Sequence, residues 1–114
     1  MDRKKELKAI YKEMKPDMGI YMYQCNPTGK VYIGASQRLK AIMNRTNFQL
    51  GMGSFLNKAV QNDWNKYGEE NFTVKILDTL EYDKKDEGKT DYTEDLEILL
   101  TEWMEKFENV EVII

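Results

Sequence analysis

Two short runs of β-forming residues, joined by a strong turn signal, constrain the fold of this chain most. In residues 20–25, Ile20 and Met22 alternate with two tyrosines before Gln24 and Cys25, and residues 31–33 read Val-Tyr-Ile. Between them lies Asn26-Pro27-Thr28-Gly29, in which proline fixes φ and glycine is free to take positive φ. The segment therefore predicts a β-hairpin, with Tyr21 and Tyr23 on the same face of its first strand.

The rest of the chain shows helical periodicity and two further β-type runs. A third strand is expected at residues 72–77, followed by a charged loop over residues 81–93. The apolar tail from Val110 fits either a short fourth strand or an end that faces a partner. Four helices are expected: at 2–14, from a Ser36 cap to the glycines at 51 and 53, from a Ser54 cap to Gly68, and from a Thr93 cap to Phe107.

Together these elements predict an α/β (α+β) domain: a small antiparallel β-sheet of about three strands flanked by helices. The length of 114 residues suits a single domain over residues 1–114, with residues 1–16 as an N-terminal helix extension. No apolar run approaches the ~20 residues of a membrane helix. Cys25 is the only cysteine and histidine is absent, so a cytoplasmic location and no disulfide are expected.

The charge is distributed unevenly along the chain. The net charge is −3, yet basic residues gather between Lys30 and Lys66 while acids gather after Asp78. The first half is expected to present a weakly positive surface, or else its charges are simply scattered over a solvated exterior. If nucleic acid binds, the candidate contact residues are Lys30, Arg38, Lys40, Arg45 and Lys58.

Two tripeptides lie in the predicted hairpin, Gly19-Ile20-Tyr21 and Tyr32-Ile33-Gly34, with ten residues between the two tyrosines. With the segment 64–72 (Trp-Asn-Lys-Tyr-Gly-Glu-Glu-Asn-Phe) and the last helix, they resemble the GIY-YIG endonuclease superfamily over roughly residues 18–107. The resemblance implies a hairpin-based nuclease fold. It also implies metal-dependent cleavage of phosphodiester bonds.

The resemblance further implies a set of site residues, of which only part is present. Tyr21 and Tyr32 match the tyrosines that help to deprotonate the attacking water. The phosphate-binding arginine is expected ten residues after Tyr32, where this chain has Ile42. The metal-binding glutamate of the last helix falls on Leu100. Both positions lie in apolar stripes, so we expect both to be core residues facing a cleft that has lost its chemistry.

Charged neighbours offer substitutes for the two missing groups. Arg38 and Arg45 flank Ile42 in the chain, and Glu97 lies one helical turn before Leu100. An active endonuclease with a rearranged site therefore stays possible by sequence, although the apolar residues at Ile42 and Leu100 argue against it.

Three functions therefore stay open. The favoured one is a pseudoenzyme: a nuclease-like domain that is catalytically inactive and binds nucleic acid or a partner. The second is an active metal-dependent DNA endonuclease, and the third is a protein-interaction domain unrelated to nucleic acid. No cofactor is expected, and Mg2+ or Mn2+ would be needed only for catalysis. The expected partners are DNA or a protein but not a membrane, and the apolar tail leaves a homodimer open.

Overall fold

The computed structural model describes residues 16–86 and 88–113. The helix expected at residues 2–14 lies outside the described part of the chain, so the proposed N-terminal extension stays a prediction. Within the described part, four strands and three helices follow one another, with a short 3-10 turn at Glu69–Asn71.

The hairpin forms the centre of the sheet. Strand β1 (Met18–Cys25) pairs antiparallel with β2 (Lys30–Ser36) on one side and with β3 (Phe72–Leu80) on the other. A short strand β4 (Val110–Val112) then adds parallel to β2, giving the order β3-β1-β2-β4. The α+β class and the antiparallel three-strand sheet are confirmed, and the tail adds a fourth strand in parallel orientation.

Three helices cover the two faces of this sheet. Helix α1 (Leu39–Met52) and helix α2 (Lys58–Tyr67) lie on one face, and helix α3 (Thr93–Met104) lies on the other. Trp64 packs against the first of these cores and Trp103 against the second, as their apolar stripes predicted. None of the helices in the described residues is long and apolar enough to cross a membrane.

The helix ends differ from the sequence prediction in detail. Ser36 accepts a hydrogen bond from the Arg38 N–H at 3.0 Å, which makes a turn, and α1 begins only at Leu39. Helix α2 is capped by Asn57 and not by Ser54, because the Asn57 side chain accepts from the Ala59 N–H at 3.1 Å. The predicted stop after α1 is confirmed at Gly53, where φ is +73°.

Thr93 is also not a cap. It is the first residue of α3, and its N–H and hydroxyl both donate to the Asp91 carboxylate, at 3.0 and 2.6 Å. The three differences at helix starts all concern the cap: α1 and α3 have no side-chain cap, and α2 is capped by Asn57, because a Ser or Thr near a helix start can instead bond to the local backbone or to a neighbouring side chain.

Candidate functional site

Three tyrosines form a layer on the α1–α2 face of the sheet. In the hairpin register Tyr23 lies opposite Tyr32 and Tyr21 lies opposite Gly34, so all three rings project to the same side. All three are fully buried. The rings of Tyr21 and Tyr23 meet edge to face with centroids 6.2 Å apart. We call Tyr21, Tyr23 and Tyr32 the tyrosine layer.

Two hydroxyls of the tyrosine layer have polar partners. The Tyr32 hydroxyl donates to Asp63 Oδ2 at 2.8 Å, on α2. The Tyr23 hydroxyl lies 2.6 Å from Asn47 Oδ1 and 3.1 Å from the Met43 carbonyl oxygen, both on α1. Burial raises the pKa of both phenols, and the hydrogen bond to Asp63 raises the pKa of Tyr32 further because it favours the protonated form.

The hydroxyl of Tyr21 is different, because it is buried and has no hydrogen-bond partner among the described residues. Burial raises its pKa to about 12. A side chain added at Gly34 would come within 2.7 Å of the Tyr21 hydroxyl and within 2.8 Å of Ile113 Cγ2. Because Gly34 has no side chain, the Tyr21 phenol and Ile113 share the space above it, and water is excluded from the hydroxyl.

Ile113 is held over Tyr21 by backbone hydrogen bonds at the end of β4. Its N–H donates to the Ile33 carbonyl at 2.9 Å, and its own carbonyl accepts from Asn57 Nδ2 at 3.0 Å. The side chain of Ile113 is completely buried. Strand β4 therefore closes the edge of the sheet next to the tyrosine layer.

The two apolar replacements lie on opposite sides of β4. Ile42 is half-buried against the core beneath α1 and α2 and lines a cavity of about 530 Å3 that also contacts Ile113. Leu100 is half-buried against the core beneath α3 and lines a cavity of about 370 Å3 that contacts Gly34 and Val112. Both pack apolar surface, and they line two different cavities, whose linings end at the neighbouring residues Val112 and Ile113.

The possible substitutes are separated in the same way. Arg45 is exposed at the 530 Å3 cavity, and Glu97 is exposed on α3 at the 370 Å3 cavity. Arg38 lies at the start of α1, beside Pro16 and Lys40, in a third depression of about 290 Å3. Arg38, Arg45 and Glu97 thus each line a different one of these three cavities.

The described residues show no site at which side chains of this chain alone would hold a divalent metal. Within residues 16–86 and 88–113, no three His, Cys, Asp or Glu side chains group closely enough to hold an ion. Leu100, at the position that the resemblance assigns to the metal ligand, offers no oxygen. We therefore derive no metal-assisted step for this chain.

The segment that forms the hairpin, α1 and the start of α2 carries basic residues and no acid. Residues 18–62 contain five lysines and arginines and no aspartate or glutamate, whereas sixteen of the twenty acids follow residue 62. Lys30 pairs with Glu111 at 3.2 Å. The other candidate contact residues are exposed: Arg38, Lys40, Arg45 and Lys58.

The sequence did not indicate which residues bond to the tyrosine hydroxyls or cover Tyr21. Asp63 is the first acid after residue 17, but nothing in its spacing indicated a contact with Tyr32. Ile113 was noted only as part of an apolar tail, and Asn57 was given no role of its own. The apolar tail from Val110 fitted either a short strand or an end that faces a partner, and nothing in the sequence indicated which strand it would join.

Comparison with known proteins supports the fold. No protein-family model matches the sequence, and the search of curated proteins finds no match. Two solved structures do match, and both are the catalytic domain of the homing, or intron, endonuclease I-TevI. The first has a TM-score of 0.62 and 22% identity over 78% of this chain and 86% of that chain. The second, a point mutant, has a TM-score of 0.56 and 22% identity over 79% and 82%.

The chain therefore has a GIY-YIG-like fold, as the hairpin tripeptides and the order of the elements predicted. At this level of identity the likeness concerns the architecture.

Proposed function

We propose that this chain is a GIY-YIG-like domain that does not cleave phosphodiester bonds and that binds nucleic acid through the surface of α1 and the start of α2. The observation that carries the first half is the Tyr21 hydroxyl, which is buried beneath Ile113 without a hydrogen-bond partner. A phenol in that position can neither receive a proton from an attacking water nor approach a phosphate.

The electrostatics of the site also argue against catalysis. A phenol that is to act near neutral pH needs surroundings that lower its pKa, and burial raises the pKa of Tyr21 to about 12. Loss of one charge-stabilising group commonly costs ~10²–10³-fold in rate. In this chain apolar side chains occupy both expected positions, at Ile42 and Leu100. The proposed function requires neither Mg2+ nor Mn2+.

The charge distribution supports nucleic acid as the partner. Arg38 immediately precedes α1, Lys40 and Arg45 lie on α1, and Lys58 begins α2, within a segment that has no acid. When a nucleic-acid backbone binds such a surface, the cations condensed on its phosphates are released into solution, and this release makes binding favourable at low salt. The acids of α3 lie on the opposite face of the sheet and leave the α1 surface positive. The cytoplasmic location remains a prediction from the sequence.

The first half of the proposal is tested with supercoiled plasmid and Mg2+ or Mn2+. We expect no nicking above the level of a Tyr21→Phe variant. Nicking by the unaltered chain that disappears in Tyr21→Phe and Tyr32→Phe would instead support the endonuclease with a rearranged site. Loss of that nicking in Arg45→Ala or Glu97→Gln would then identify its substitute groups.

The second half is tested by the salt dependence of binding to a labelled duplex. We expect the logarithm of the association constant to fall linearly with the logarithm of the salt concentration. In a Lys40→Ala/Arg45→Ala variant the line should be shallower by about two units of slope, since each phosphate contact contributes about 0.9. The matched control is Lys75→Ala/Lys84→Ala, which removes two exposed lysines of the acidic half. No binding at low salt would contradict the proposal and favour a protein-interaction domain.

A further inference from the structure

The cavity of about 530 Å3 lies where α1 meets the segment before α2. Its volume is within the range of ~300–1,000 Å3 that is usual for small-ligand sites. Four apolar side chains line it: Ile42, Phe55, Leu56 and Ile113. Arg45 and Gln49 add polar groups from α1. The site thus joins an apolar interior to a cation and an amide.

Arg45 lies between this cavity and an exposed aromatic ring. At 100° per residue, Ile42 lies about 60° to one side of Arg45 around the helix and Phe48 lies about 60° to the other. Phe48 is 68% exposed, and Met52, one turn further on, is 67% exposed. A ligand that binds Arg45 can therefore place one apolar group inside the cavity and another against Phe48.

The charge and the shape of the site select among possible ligands. No acid lines the cavity, and none occurs in the segment from residue 18 to residue 62, so the complementary charge is negative. The backbone of an intact duplex offers phosphates but no apolar group that could fill the cavity. An unpaired nucleotide offers both, since its base has an apolar face, a polar edge and an attached phosphate.

We propose that this cavity receives an unpaired base of a nucleic-acid strand, with its phosphate on Arg45 and the adjacent base against Phe48. The side-chain amide of Gln49 supplies a donor and an acceptor for the polar edge of the base. This inference rests on the proposed function and narrows it, because it makes single-stranded or bulged nucleic acid the preferred partner over an uninterrupted duplex.

The experiment compares three labelled oligonucleotides by fluorescence anisotropy at one salt concentration: a perfect duplex, the same duplex with one extra unpaired base, and the single strand. Stacking of one base on an aromatic side chain is worth enough to change affinity by about tenfold. We expect the bulged duplex and the single strand to bind about tenfold more tightly than the perfect duplex.

Two exposed side chains allow the preference to be removed without disturbing the core. We expect Phe48→Ala and Leu56→Ala to bring the three affinities close together, because they remove the apolar contacts to the unpaired and adjacent bases. Phe48 is 68% and Leu56 is 86% exposed, so truncating them should leave the core intact. The matched control is Ile98→Ala, which truncates a 58% exposed apolar residue on α3 and is expected to keep the preference.

The outcomes separate this inference from the proposed function. Equal affinity for all three oligonucleotides overturns the inference and leaves the proposed function standing. No binding to any of them overturns both, whereas a preference that survives in Phe48→Ala and Leu56→Ala overturns the assignment to this cavity. A 2-aminopurine at the unpaired position provides a second readout: its emission is expected to change on binding to the unaltered chain, and an unchanged emission contradicts burial of the base.

Discussion

The tyrosine layer has two ends that differ in what covers them. At one end, Tyr23 and Tyr32 lie beneath α1 and α2, and their hydroxyls meet Asn47 and Asp63. At the other end, Tyr21 lies beneath Ile113 and its hydroxyl has no partner among the described residues. All three tyrosines come from the same hairpin, and all three are fully buried.

This difference shows that a chain can retain the tyrosine of a family motif, here Tyr21, while its hydroxyl is no longer accessible. A tyrosine in a hairpin contributes apolar packing through its ring whether or not its hydroxyl is used. At the Tyr21 end only the ring has a function that the structure shows. The phenol oxygen is then a cost, since a buried hydroxyl that loses water without gaining a hydrogen bond is destabilising by roughly 1–3 kcal/mol.

The largest expected effect comes from removing the cover at the Tyr21 end. We expect Ile113→Ala to lower the free energy of unfolding by about 2–4 kcal/mol, because it removes a buried side chain and leaves a cavity. Urea denaturation measures the change. The control is Val112→Ala on the other side of β4, where the side chain is 38% exposed and a much smaller loss is expected. Equal losses of stability in the two variants would mean that Ile113 contributes no more to the burial of Tyr21 than an exposed residue of β4 does.

The next effect comes from Gly34, where Tyr21 and Ile113 meet. We expect Gly34→Ala to cost about 1–3 kcal/mol, because the new methyl group would overlap both side chains and force them apart. The loss should be smaller when Ile113→Ala is already present, and a double-mutant cycle measures this coupling. Gly51→Ala is the control, since a Cβ at Gly51 meets open space within a helix. Strict additivity of the two losses would contradict the shared contact.

Alkaline pH tests the burial of the Tyr21 phenol. Its pKa is raised from 10 in the unfolded chain to about 12 in the folded one. Between these values the unfolded chain has released the proton and the folded chain retains it. This contribution to stability is therefore complete below pH 10 and is lost as the pH rises toward 12. We expect a fall of up to about 1.4 kcal/mol per pH unit.

Denaturant unfolding across this pH range measures the fall, and the slope should be shallower in Tyr21→Phe. An identical slope in both proteins would mean that the Tyr21 phenol is already in contact with water.

The smallest expected effects are those of single hydroxyls, and they differ in sign between the two ends of the layer. Tyr32→Phe should destabilise by about 1 kcal/mol, because it removes the hydrogen bond to Asp63. Tyr21→Phe should be neutral or stabilising by up to about 1 kcal/mol, because it removes only an unpaired polar atom. Thermal and urea denaturation give both values, and a clear loss of stability in Tyr21→Phe would reveal a partner for its hydroxyl.

Local patterns in the sequence were sufficient for the elements and their order. Alternation at a period of two placed the hairpin and the Tyr21–Tyr23 face, and the 3.6-residue period placed the three described helices. The apolar character of Ile42 and Leu100 was also readable, as was the positive segment that contains Arg45. These features depend on residues that are neighbours in the chain, so a single sequence specifies them.

Only the tertiary structure decided which of these parts came together. Tyr32 meets Asp63 across 31 residues, and the Asn57 side chain meets the Ile113 carbonyl across 56. Whether the tail from Val110 joined the sheet, and at which edge, set both the burial of Tyr21 and the separation of the two cavities. Such contacts follow from how whole faces pack and how backbone groups at a strand edge find partners, and no periodicity within the chain encodes them.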